Sequence, residues 1–228
     1  YKSGFGFNSL NDIYGVTETE FNVNGMAGKK VNDKYVYGAL SMDFFKKSRA
    51  DFETLNLNTD LSRNIVSFNP GVRFDKDKVK LDIGAVIALE KNQDNSLHLF
   101  PHVNLSIPIA DKVLYGFAGV NGGLIKNNYH TVTQENPFVS SAIIMNANTI
   151  NKIEMKAGLN GNFSSTVSFL AQVKYSKMDK MLFYVNDPVY FNKFNAIYND
   201  GTVVNIHAEL NYKSSFWLTR KMTISKST

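Results

Sequence analysis

In the stretch KVKLDIGAVIALE, residues 78–90, apolar Val79, Leu81, Ile83, Ala85, Ile87 and Leu89 hold every second position. A period of two belongs to a β-strand that hides one face from water. The same split runs through 97–109, where Leu97, Leu99, Val103, Leu105 and Ile107 alternate with His98, Phe100, His102, Asn104 and Ser106. Similar alternation predicts further strands at 66–74, 79–89, 113–121, 153–161, 167–175 and 202–212, and less regularly at 1–7, 13–23, 35–45 and 216–224. Helical periodicity is hard to find anywhere. The pattern predicts an all-β chain of about eleven strands.

These strands are long. A soluble strand averages about five or six residues, whereas a tilted strand needs about nine to eleven to cross the apolar core of a bilayer. The connections also alternate. Short turns rich in Lys, Asp, Asn and Ser fall at 75–78, 110–112, 162–165 and 213–215, and longer ones at 46–63, 91–95, 122–149 and 177–201. Short turns on one rim and long loops on the other are what outer-membrane barrels show. The expected fold is therefore an antiparallel up-and-down transmembrane β-barrel of about 10 to 14 strands, closed or incomplete, forming a single domain over 1–228.

On that reading the apolar rows face lipid and the rows between them face a lumen. The lumen-facing candidates are Lys80, Asp82, His98, His102, Lys152, Glu154, Lys156, Lys174, His207 and Glu209, a lining of mixed charge. Phe45, Phe74, Tyr115, Tyr175, Tyr212 and Trp217 lie near predicted strand ends, where girdles of aromatic side chains form in barrels.

Composition narrows the chemistry. There are 25 Lys and Arg against 20 Asp and Glu, with no block of like charge that would attract nucleic acid. No cysteine is present, which excludes disulfides, thiolate metal sites and cysteine nucleophiles. No run of about 18 apolar residues occurs, a fact that counts against membrane helices and not against barrel strands. The opening YKSGFGFN carries no export signal, and the chain ends in a polar tail, FWLTRKMTISKST, which points to a mature or excised piece.

Nothing legible demands a catalytic residue, a metal or a cofactor. His98 and His102 are four apart, which in a strand means about 13 Å, too far to share an ion unaided. GVNGGL at 119–124 reads as a strand-end turn rather than a phosphate loop, and ENPFVSS at 135–141 as a loop broken by Pro137.

Residues 99–141, running through AGVNGG and ENPF, and residues 157–187, with AGLNG, KMDK and LFYVND, resemble the barrels of Bacteroidetes outer-membrane proteins of the TonB-dependent-receptor-like kind. That resemblance implies a Gram-negative outer-membrane barrel larger than this chain, with the lipid bilayer as its surroundings and a partner chain or further segment to complete it. The sequence departs from full receptors, with neither a plug domain nor an energy-coupling box near Tyr1. The expected role is transport, porin-like or structural, without catalysis. The alternative is a soluble β-sandwich or calyx-like binding module.

Overall fold

The computed structural model describes residues 1–49, 61–91, 95–110, 113–141, 143, 145, 147–188, 191–213 and 219–227. Its strands, in chain order, are β1 (Lys2–Asn11), β2 (Val16–Val31), β3 (Lys34–Arg49), β4 (Leu61–Lys76), β5 (Val79–Lys91), β6 (Asn95–Ala110), β7 (Leu114–Ile125), β8 (Thr149–Asn162), β9 (Val167–Asn186), β10 (Phe194–Lys213) and β11 (Thr219–Ser227). A helix, α1 (Tyr129–Glu135), lies between β7 and β8. All the strands form one 11-stranded sheet whose spatial order is the chain order, each pair antiparallel. Among the described residues β1 and β11 do not pair, so the sheet is open.

The register explains why the alternation is so regular. Val36, Val72, Ile83, Val103, Val120, Met155, Tyr175 and Val204 stand opposite one another, strand by strand, from β3 to β10. One residue along each strand, Tyr35, Arg73, Asp82, Asn104, Gly119, Lys156, Lys174 and Asn205 form a matching row on the other face. A slip of one residue anywhere would exchange the two faces, so the apolar pattern pins the register.

The apolar face is left uncovered. Leu99 is 73% exposed, Ile206 53%, Val173 50% and Ile83 45%, and Phe5, Phe7, Phe21, Leu40, Phe68, Leu105, Leu159 and Leu210 share their face. In the soluble sandwich these side chains would pack against a second sheet. Here all the strands belong to one sheet, and the contiguous patch far exceeds what a soluble monomer leaves bare.

The strands outrun the sequence-based bounds. β9 and β10 are 20 residues each and absorb most of the predicted 177–201 loop, leaving only 187–193 as their connection. Lys177, Asp179 and Lys180 end the apolar alternation while the backbone continues to pair. Residues 181–186 and 194–199 therefore extend these two strands. GVNGGL is likewise no strand-end turn, because it lies within β7, where a register shift falls between Asn121 and Gly123. The predicted connections 46–63, 91–95, 110–112 and 213–215 fall wholly or partly outside the described residues, as does Trp217.

The β4–β5 turn is tight. Lys76 pairs with Val79, and Asp77 (φ 52°) and Lys78 (φ 68°) both take the left-handed conformation that a type I′ hairpin turn requires. Lysine pays a steric penalty there that glycine avoids. Replacing the pair by Asn-Gly is expected to stabilise the chain by roughly 0.5–1 kcal/mol, read as a higher urea midpoint in detergent micelles.

Candidate functional site: the polar face and the segment folded onto it

Of the predicted lumen residues, Lys80, Asp82, His98, His102, Glu154, Lys156, Lys174, His207 and Glu209 fall on the polar face by register. They form several local groups. Arg73 donates to Asp82 through Nε (3.1 Å) and Nη2 (2.8 Å), and the Tyr37 hydroxyl donates to the other oxygen of Asp82 at 2.8 Å. The hydroxyl end of the Tyr37 ring lies over Gly71, where an added Cβ would sit 2.4 Å from it. Lys80 and Lys156 join Arg73, Asp75, Asp82 and Asn104 around a cavity of about 350 Å³. Asn104 and Asn121 exchange two amide hydrogen bonds of 3.1 Å.

Lys174 Nζ lies 3.4 Å from Glu154 Oε2, His207 Nε2 lies 3.5 Å from Glu209 Oε2, and His98 Nε2 lies 3.6 Å from Glu90 Oε2. His102 stands opposite Gly84 and Asn121, apart from His98. Among the described residues no three His, Asp or Glu side chains gather as a metal site.

Lys152 stands apart from the other nine. A register shift between Asn151 and Ile153 leaves it as the extra residue of a bulge, and its ammonium pairs with Asp179. Asp179 stands opposite Ile150, next to Met178, which faces Asn151 on the polar side. The ion pair therefore belongs with the opposite face. A bulge re-aims side chains in this way, which alternation read through it cannot anticipate.

The most elaborate part of the polar face was not expected. Of the expected loop 122–149, residues 122–125 and 149 belong to β7 and β8, and the described residues between them contain α1 and fold back onto the sheet near the rim of long connections. Val16, Tyr129, Val132, Val139, Ile143 and Met145 form a buried apolar cluster, flanked by Leu10, Leu61, Leu182, Tyr184, Phe194 and Ala196. Ser140 donates to the Phe194 carbonyl (2.8 Å) and Phe194 to that of Phe138 (3.0 Å), which stitches the segment to β10.

Charged side chains from four strands hold the same segment. On β2, Glu18 accepts from the backbone N–H of Tyr129 (2.7 Å) and His130 (2.8 Å), satisfying two donors that α1 leaves free at its start. Asn128 caps the helix by accepting from Thr131 N–H at 2.9 Å. Lys126 pairs with Glu20 and, at 3.0 Å, with Asp43 on β3. Burial pulls its ammonium down, and the hydrogen bonds to Glu20 and Asp43 more than reverse this, so its pKa stands above the ordinary lysine value. Lys47 on β3 donates to the Ile143 carbonyl (2.8 Å) and lies 4.6 Å from the centre of the Tyr129 ring.

Arg63 of β4 is at the centre and fully buried. Its guanidinium stacks 4.4 Å from the Phe45 ring, donates to Asn148 Oδ1 at 3.1 Å, and bonds the Asn127 carbonyl. Asn148 in turn donates to Glu90 of β5 at 2.8 Å. Phe45 is only 3% exposed and is therefore a platform for Arg63 rather than part of a girdle. Tyr115 likewise belongs to the polar row, opposite Pro108 and Asn160. Phe74, Tyr175 and Tyr212 stand on the apolar face, the last two 37% and 49% exposed.

No protein-family profile matches the chain, and no curated protein does. Solved structures do. The FrpB iron transporter from Neisseria meningitidis superposes with a TM-score of 0.64 at 13% identity, over 93% of this chain and 36% of that one. The siderophore receptor PirA from Pseudomonas aeruginosa gives 0.68 at 9% identity, over 98% and 46%. The copper transporter OprC gives 0.61 at 10%, over 93% and 37%. The chain thus spans between about a third and just under half of the length of these neighbours in fold, none of which points to the Bacteroidetes kind in particular. What they share with it is the fold, an all-β, up-and-down antiparallel barrel wall of which this sheet reproduces an arc.

Proposed function

We propose that this chain forms part of the wall of an outer-membrane transport barrel, with the apolar face against lipid and the polar face lining the lumen. The observation that carries the reading is the pair of opposed rows: eight residues from Val36 to Val204 in unbroken register, all aliphatic or thioether but Tyr175, and a row one position along on the other face in which Arg73, Asp82, Asn104, Lys156, Lys174 and Asn205 are charged or amide. Lipid offers no hydrogen bonds, so a spanning sheet must carry its polar groups inward and present hydrocarbon outward. Segment 126–148 then lies inside the mouth and narrows it, as inward-folded loops do in other barrels. Lys80, Asp82, His98, His102, Glu154, Lys156, Lys174, His207 and Glu209 line the passage below it, within one domain over 1–228.

The neighbours are named as iron, copper and siderophore proteins, and the reading extends to this chain only their outer-membrane location and transport class. The Bacteroidetes affiliation rests on the turn and strand motifs of residues 99–141 and 157–187. The test is partition. The refolded chain is expected to need detergent and to float with phosphatidylcholine vesicles. A stable monomer in plain buffer, with Lys80, Lys156 and Lys174 all freely labelled, overturns the proposal.

A further inference from the structure

The cavity of about 350 Å³ between Arg73, Lys80, Asn104, Ser106 and Lys156 is kept open by two complementary pairs on β7 and β8. Gly119 stands opposite Lys156, and Phe117 opposite Gly158. A Cβ on Gly119 would meet Asn104 Oδ1 at 2.6 Å and Lys156 Cε at 3.0 Å, so the lysine stem lies across β7 and reaches the cavity on its β6 side. A Cβ on Gly158 would meet the tip of the Phe117 ring at 2.5 Å, so that ring leans the other way, over β8. Phe117 is thereby turned from Ser106, its partner on β6, and the space beside Ser106 stays open.

The cations around this space differ in what they have left to give. Arg73 is committed to Asp82 through Nε and Nη2, and the Tyr37 hydroxyl takes the other oxygen of that carboxylate, so the group is closed on itself. Lys174, next in the row, turns to Glu154 at 3.4 Å. Among the described residues neither Lys80 nor Lys156 makes an ion pair or a side-chain hydrogen bond, and the same holds for the hydroxyl of Ser106, which stands opposite Lys80. Lys156 is half-buried and directly opposite Lys174, a like-charge pairing that destabilises a sheet. Against these two ammonium groups the cavity lining offers one uncommitted carboxylate, Asp75, which faces Lys80 across β4 and β5. The balance is a positive charge without a partner.

Resting on the barrel reading, we infer that this cavity is a subsite for a small anionic solute, a phosphate or a short carboxylate, held between the ammonium groups of Lys80 and Lys156. The Ser106 hydroxyl and the second amide N–H of Asn104, whose first is bound to Asn121, supply further donors. Charge-assisted hydrogen bonds of this kind are the strong ones, and the anion would also offset the Lys156–Lys174 repulsion. The volume lies at the low end for ligand pockets, which admits a small solute and rejects a bulky one. Asp75 repels the same anion and keeps its hold weak, as a passage that must release its solute requires. Lys80 follows the 77–78 turn by two residues, so the subsite lies toward the short-turn rim, the periplasmic side in barrels.

The test is titration calorimetry of the full-length protein in detergent micelles with inorganic phosphate, succinate and glucose in turn. Phosphate and succinate are expected to bind, the tighter of the two showing which oxyanion the site prefers, and glucose is not. Lys80→Gln and Lys156→Gln should each weaken anion binding by about tenfold, the scale of one hydrogen bond to a charged group. Lys156→Arg, which keeps the charge, should retain binding, and circular dichroism should show unchanged strand content in all variants. Lys76→Gln, at the same rim on the apolar face, should leave binding unchanged. The inference is overturned if neither anion binds, if glucose binds as tightly, if both glutamine variants bind as before, or if Lys76→Gln weakens binding equally. Vesicle flotation separates the two readings. Flotation without anion binding overturns the subsite alone, whereas anion binding by a chain that stays soluble overturns the barrel reading and leaves the subsite standing.

Discussion

Replacing Arg63 by methionine is expected to undock segment 126–148 from the sheet while leaving the eleven-stranded ladder intact. The guanidinium is fully buried, and its removal leaves Asn148 Oδ1 and the Asn127 carbonyl without their donor and takes the compensating charge away from Glu90. Removing one partner of a buried charged network costs about 3–5 kcal/mol, because the other partner stays desolvated. The loss falls on the segment, since both hydrogen bonds of Arg63 cross to it from β4. Amides of α1 should exchange faster by on the order of a hundredfold or more, and proteases should cut within residues 136–148. His207→Gln, on the same face near the other rim, should change neither. If α1 amides in Arg63→Met remain as protected as before, Arg63 is not what holds the segment.

That latch is also where the sequence was least informative. Glu18 and Glu20 sit at a spacing of two in VTETE, and so look like any polar face of a strand. Nothing in that spacing shows that they reach residues 106 to 112 positions away, as Glu20 does to Lys126 and Glu18 to Tyr129 and His130. The one local clue was Asn128 ahead of Tyr129, a residue type that favours helix N-caps. That clue is weak, because a helix of 7 residues carries little periodicity. The sheet was legible for the opposite reason: each strand must repeat apolar residues at a period of two, so the signal is local and recurs eleven times.

The errors follow from the same physics. Alternation marks a strand only where apolar and polar residues take turns, so the ends of β9 and β10, where Met181 to Val185 run apolar on both faces and Leu182, Tyr184, Phe194 and Ala196 pack on the buried cluster, read as loop although their backbones stay paired. Counting in twos from Glu154 puts Lys152 on the polar row, and the bulge at Asn151 breaks that count. Phe45 lies near a predicted strand end, the place of an interface aromatic. Its parity already placed it with Asp43 and Lys47 on the polar side, where a guanidinium covers it.

The largest expected separation between two substitutions lies across the sheet at one depth. Ile83 is 45% exposed on the apolar face, near the middle of β5, with Val72 and Val103 beside it. One residue along, Gly84 stands opposite His102 on the polar face. Were the apolar face in water, Ile83→Arg would be nearly neutral, within about 0.5 kcal/mol, because the side chain packs against no second layer. Against hydrocarbon, an arginine near the midplane costs about 2–4 kcal/mol. His102→Arg exchanges one polar side chain for another in an aqueous lining and should cost under about 1 kcal/mol in either case. Reversible unfolding in vesicles should therefore show Ile83→Arg losing several times more stability than His102→Arg. Equal losses, or the reverse order, would mean that the greasy row of β5 faces something other than lipid.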